Sequence, residues 1–102
     1  MTRPASPRPV SRRRYGIHAR AIMADPRWSV LPLAARGMWL HLADIADVVT
    51  ELRAPVRGQA LTVPDLARLL AADPAEVIGA VSHLVNRDII EPVADGYRLK
   101  AY

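Results

Sequence analysis

Three histidines and ten carboxylates are the side chains from which acid–base or metal chemistry would have to be built. Their spacing builds neither. His18, His41 and His83 are far apart in the chain, and no carboxylate stands at metal-motif distance from them. There is no cysteine, so thiolate ligands, disulfides and cysteine nucleophiles are excluded together. No glycine-rich phosphate loop and no activated-nucleophile pattern is present. The sequence therefore argues against an enzyme, and it calls for no cofactor and no metal. What remains is contact chemistry: hydrogen-bonding groups along one helix, and arginines.

The contact residues fall into three groups. The first is a helix expected from Pro74 to Arg87, whose apolar residues Val77, Val81, Leu84 and Val85 share one face, with Ile78 and Ala80 at its margins. Ala75, Glu76, Gly79, Ser82, His83, Asn86 and Arg87 are left facing outward. Ala75 and Gly79 would permit close approach of a partner. Ser82 and His83 can donate hydrogen bonds, and Glu76 can accept one from cytosine. The same face also reads as merely solvated, because it offers few base-reading side chains. The second group is Arg98 and Lys100, on the polar face of a C-terminal strand. The third is the N-terminal arginines, including Arg12, Arg13, Arg14 and Arg20, suited to phosphates or a minor groove. Their bland alternative is a solubilising tail.

These groups need elements to hold them. Asp73-Pro74-Ala75-Glu76 is a helix start, with an acidic cap and proline where its missing N–H costs nothing. Thr62-Val63-Pro64-Asp65 is a second start of the same kind, with the spacing of a capping box. Pro74 forces the earlier helix to stop near Ala71 or Ala72. A short helix, a turn of about three residues and a longer helix follow from these signals. Behind them, residues 89–93 and 97–102 read as strands around Ala94-Asp95-Gly96, a hairpin signal with its tip at Asp95-Gly96. Pro92 puts its strand at an edge.

Upstream, Leu33 to Val49 carries the strongest helical period, with Ala35, Met38, Leu42, Ile45, Ala46 and Val49 in one stripe and Trp39 at its edge. The stripe is wide enough for two neighbours, and a second subunit is one candidate source of the second. Gly37 suggests close packing of another element there. Trp28, Val30, Leu31 and Leu33 are expected to cover one end of the core. Tyr15 to Ala24 fits either a short strand or a helical turn. Thr50 to Ala60 reads as a loop, and Gln59-Ala60-Leu61 as a short strand.

The chain has 102 residues and 51% hydrophobic residues, enough for one modest core built without phenylalanine. Residues 1–14 carry three prolines and five arginines and read as a disordered basic arm, leaving 15–102 as the domain. Residues 1–20 hold six arginines and no acid, so the rest of the chain, with eight basic and ten acidic side chains, is slightly acidic. No apolar run is long enough to cross a membrane, no signal peptide is evident, and the lack of cysteine fits the cytoplasm.

The order helix, short strand, helix, turn, helix and hairpin resembles a winged helix-turn-helix domain over residues 28–102, a mainly α fold with a small β-hairpin wing. More narrowly, Trp28 to Leu40 (WSVLPLAARGMWL), Leu61 to Leu70 (LTVPDLARLL) and Val81 to Glu91 (VSHLVNRDIIE) are similar to the N-terminal domains of phage and bacterial replication-initiation proteins of the DnaD or replisome-organiser kind. The matches are mainly core and turn positions, so they speak for fold more than for function. Two departures are plain: the domain carries no net positive charge, and proteins of that kind usually continue into further domains. The resemblance implies binding of double-stranded DNA in replication or transcription, with the second helix of the pair in the major groove. The alternative is a homodimerisation or docking module for a replication or transcription partner, without base readout.

Overall fold

The computed structural model describes residues 17–56 and 60–102. The expected arm, with Arg12, Arg13 and Arg14, lies outside the described residues, as does Gln59. The elements are α1 (Ala19–Ala24), a 3-10 turn (Trp28–Val30), α2 (Leu33–Ile45), a second 3-10 turn (Thr50–Leu52), α3 (Val63–Leu70), α4 (Pro74–Asn86), β1 (Ile90–Val93) and β2 (Gly96–Leu99). The fold is mainly helical, with one antiparallel two-stranded hairpin. α4 lies at its centre, packed against α2, α3 and β1.

The two central helices begin as their residues dictate. The Thr62 hydroxyl accepts the Asp65 N–H at 3.4 Å, and the Asp65 carboxylate accepts the Thr62 N–H at 3.0 Å, completing a capping box. Asp73 Oδ1 accepts the Ala75 N–H at 2.9 Å, with Pro74 at the first helical position of α4. Both helices also end alike. Ala71 turns left-handed at φ 52°, and the Ala72 N–H reaches back to the Ala67 carbonyl at 3.0 Å. Asp88 does the same at φ 61°, with the Ile89 N–H on the Leu84 carbonyl at 2.9 Å. This reversal satisfies helix-end carbonyls and turns the chain sharply.

The core gathers Ile22, Trp39, Leu42, Leu52, Leu66, Val77, Leu84, Ile89 and Leu99, all fully buried. Several expectations are corrected here. Trp39 is no edge residue: it is completely buried, and its indole N–H donates to the Ala101 carbonyl at 3.2 Å. The returning C-terminal segment covers it, with Tyr102 and Trp28 on either side at ring-centroid distances of 6.0 and 6.4 Å. Of the four residues expected to close one end of the core, Leu31 is buried and Trp28 half-buried, whereas Val30 is 52% and Leu33 81% exposed. α2 stops at Ile45, four residues short, where the chain passes into turns. Among the described residues nothing lies within 4 Å of where a Cβ on Gly37 would sit, so none of their elements packs closely there. Residues 19–24 are helical, and the expected loop after α2 contains the Thr50–Leu52 turn, which buries Leu52.

The hairpin exists, with its tip one residue earlier than expected. Val93 pairs with Gly96 and Ile90 with Leu99, so Ala94-Asp95 form the loop and Gly96 opens β2. Neither loop residue has positive φ, so the mirror-image turn favoured by Asp-Gly is not used. Gly96 serves another purpose. A Cβ there would lie 2.4 Å from the Leu61 carbonyl oxygen, and the Tyr97 N–H donates to that same oxygen at 2.9 Å. The expected short strand is reduced to this one bridge, Leu61 to Tyr97. The missing side chain lets the hairpin lie against the backbone that leads into α3.

Candidate functional site

α4 buries Val77, Ala80, Val81 and Leu84 and turns Ala75, Glu76, Ile78, Gly79, Ser82, His83 and Asn86 to solvent, with Arg87 exposed just past its end. Every outward residue expected from the sequence is therefore outward. Two marginal residues are resolved in opposite directions: Ala80 is buried and Ile78 is 58% exposed. The outer face has two flanks. Glu76 borders a groove toward α2, with Ala34, Gly37, Met38 and His41 on its other side. Ile78, Ser82 and Asn86 border a second groove, toward Val63 of α3 and Pro92 and Tyr97 of the hairpin. Between the flanks the surface is low. A Cβ on Gly79 would meet nothing within 4 Å.

The hairpin cations are not available as the sequence suggested. Arg98 donates to Glu91 Oε1 at 3.3 Å and to the Arg53 carbonyl at 3.2 Å. Lys100 Nζ sits 2.8 Å from Asp88 Oδ1 and 3.6 Å from Glu91 Oε1. The Asp88 contact raises the Lys100 ammonium above its ordinary range, and Lys100 holds the Asp88 carboxyl below its own. Strand alternation does put both cations on one face, but it also puts them beside Glu91 and the turn that ends α4. That cross-chain proximity is invisible along the sequence.

The remaining cations divide in the same way. Arg68 is paired with Asp65 within α3. Arg36 donates to the Trp28 and Ser29 carbonyls at 2.9 and 3.1 Å and lies over the Trp28 ring. Arg27 pairs with Asp25 at 2.9 Å, donates to the Arg87 carbonyl at 3.1 Å and lies 5.5 Å from the Trp39 ring centroid. Its hydrogen bonds hold the Asp25 carboxyl down at about 2. Arg27 thus clamps the segment before α2 onto the end of α4, a role no sequence pattern announces. Arg87 and Arg20 are exposed, and neither forms an ion pair among the described residues. Arg20 stands on α1, which packs on α2 and the Trp28–Val30 turn.

Among the described residues eight Lys and Arg stand against ten Asp and Glu, a formal charge of −2. The α4 face carries Arg87 at one end and Asp73 and Glu76 at the other, so the described residues form no positive band around it. His18 lies 3.2 Å from Asp47, and His41 and His83 are exposed. No group of three or more His, Asp or Glu among the described residues is placed to hold a metal ion. No helix among them is long and apolar enough to cross a membrane.

Of the expected contact residues, the fold brings Ala75, Glu76, Gly79, Ser82, His83, Asn86 and Arg87 onto one exposed surface. It diverts Arg98 and Lys100 into ion pairs. Ile78 was missed as a surface residue, although its spacing of four and eight residues from Ser82 and Asn86 already puts the three on one line of the helix. Compared with protein-family models, curated proteins and solved structures, the chain matches none.

Proposed function

We propose that the protein is a winged helix-turn-helix DNA-binding protein, with α4 in the major groove of duplex DNA and the hairpin as its wing. The observation that carries this reading is the outer face of α4. It follows a tight turn, starts at a capped N-terminus, and presents small and hydrogen-bonding side chains with no element of the described residues packed over them.

Charge is supplied from elsewhere in this reading. The arginines of residues 1–20, joined by Arg87 at the end of α4, provide the phosphate contacts and the affinity, and the rest of α4 provides the fit. The wing is a structural brace, with its cations engaged by Asp88 and Glu91. A role in replication initiation or transcriptional regulation, in phage or bacteria, is carried over from the resemblance and is part of the proposal, as is the absence of catalysis.

The test is titration of the full chain against fluorescent duplex DNA over a range of salt. Binding should weaken steeply with salt, by a slope of about 0.9 per phosphate engaged, and removing residues 1–14 should flatten it. No duplex binding at low salt would overturn the reading.

One observation favours a second reading, a homodimerisation or partner-docking module. The described surface is acidic, and Leu33, Val48 and Ile78 are 81%, 67% and 58% exposed. That reading expects a mass that rises with concentration in sedimentation, with no dependence on DNA.

A further inference from the structure

We infer that Ile78 contacts the 5-methyl group of thymine, so that the α4 face selects A·T base pairs through the major groove. This rests on the DNA-binding reading above. Ile78 is 58% exposed in the first half of α4, and its neighbours on the outer face are Ala75, Gly79 and Ser82. It is the one large apolar side chain on a surface otherwise kept low. Burial does not explain it, and a β-branched residue gains nothing for an exposed helix.

The major groove offers an apolar partner at one place only, the thymine methyl, and hydrophobic side chains pair with it there. The residues in line with Ile78 suit the same kind of base pair, A·T, at neighbouring positions. Asn86 can bond adenine in bidentate fashion through its N6 and N7 atoms, and Ser82 between them can donate or accept. At 1.5 Å of rise per residue, Ile78 and Asn86 are about 12 Å apart along the helix, a span of three to four base pairs. All three border the same groove beside the hairpin. Glu76, the group suited to cytosine, is turned to the opposite flank, toward α2.

The probe is a pair of duplexes, alternating dA-dT and alternating dA-dU, which differ only by the 5-methyl group in the major groove. Minor-groove edges and phosphates are the same in both, so contacts of the arginine arm cancel. The full chain should bind the thymine duplex about fourfold more tightly per methyl contacted, from the burial of one such group. Ile78→Ala should bind both duplexes equally, and Ile78→Val should keep most of the preference. Ile78 is 58% exposed and lies outside the buried core cluster, so the variants should fold, which their thermal melts would verify. Equal binding of both duplexes by the unaltered protein would overturn the inference and leave the DNA-binding reading standing. A thymine preference that survives in Ile78→Ala would overturn it too, by assigning the methyl to another residue. Failure to bind these duplexes and a dG-dC duplex alike would overturn both.

Discussion

The hairpin and the outer face of α4 lie side by side, and both turn polar side chains to solvent. They use them in opposite ways. On the hairpin the cations are consumed: Arg98 and Lys100 answer Glu91, Asp88 and the Arg53 carbonyl. On α4, the side chains of Ser82, His83, Asn86 and Arg87 are exposed, and among the described residues none of them forms an ion pair. A polar residue that braces the molecule and one that is left over look the same in a sequence. Only the partners brought in from elsewhere in the chain tell them apart.

Glycines make the contrast sharpest. Gly96→Ala forces a Cβ to within 2.4 Å of the Leu61 carbonyl oxygen, in a backbone conformation that side chains rarely adopt. A loss of about 3 kcal/mol is expected, read as a lower midpoint in chemical denaturation. A midpoint unchanged from that of the unaltered protein would mean that the hairpin does not lie on Leu61. The Asp25–Arg27 clamp at the end of α4 comes next. Asp25 is nearly enclosed and its carboxyl is held at about 2 from an ordinary 3.8, so its contribution is complete above pH 3.8 and is lost as pH falls through 2. Asp25→Asn should therefore cost about 1–2 kcal/mol at neutral pH, discounted for the solvent around Arg27, and the two proteins should converge in acid. Parallel pH profiles would contradict the clamp.

On the α4 side the signs reverse. Gly79→Ala meets no atom and gains helix propensity, so it should stabilise by about 0.5–1 kcal/mol in a thermal melt while weakening any partner that needs close approach. The smallest effect separates the two sets of cations. Arg87→Ala should lower the salt slope of DNA binding by about 0.9, and Lys100→Ala should leave it unchanged. Equal slopes for the two variants would erase the distinction between the braced hairpin cations and the uncommitted face of α4, and with it the proposed reading role.

What the sequence makes legible follows from how local each signal is. The capping box of α3, the Asp73-Pro74 start of α4 and the outward set from Ala75 to Arg87 depend on residues three or four apart, and all appear where expected. The early end of α2, the hairpin tip and Ile78 are local misses, whereas the errors that change a side chain's role involve residues far apart in the chain. Trp39 is buried because Ala101 and Tyr102 return over it, 62 residues later in the case of its hydrogen bond. Arg27 reaches the end of α4 across 60 residues. Gly96 is needed by Leu61 and not by its own turn. Leu33 looked like a core residue by type, yet it lies at the start of α2 with nothing brought over it. The candidate site was legible because it sits on one helix. The loss of Arg98 and Lys100 from it was not, because Glu91 and Asp88 are neighbours only after the hairpin closes.

The two tryptophans gather in a single cluster with Tyr102, next to Arg27, and neither borders the groove lined by Ile78 and Ser82. Their ultraviolet emission should consequently track the loosening of the C-terminal segment or the acid release of Asp25, and stay dark to anything that settles on Ile78 or Ser82. An assay for ligands of that face therefore has to carry its own dye.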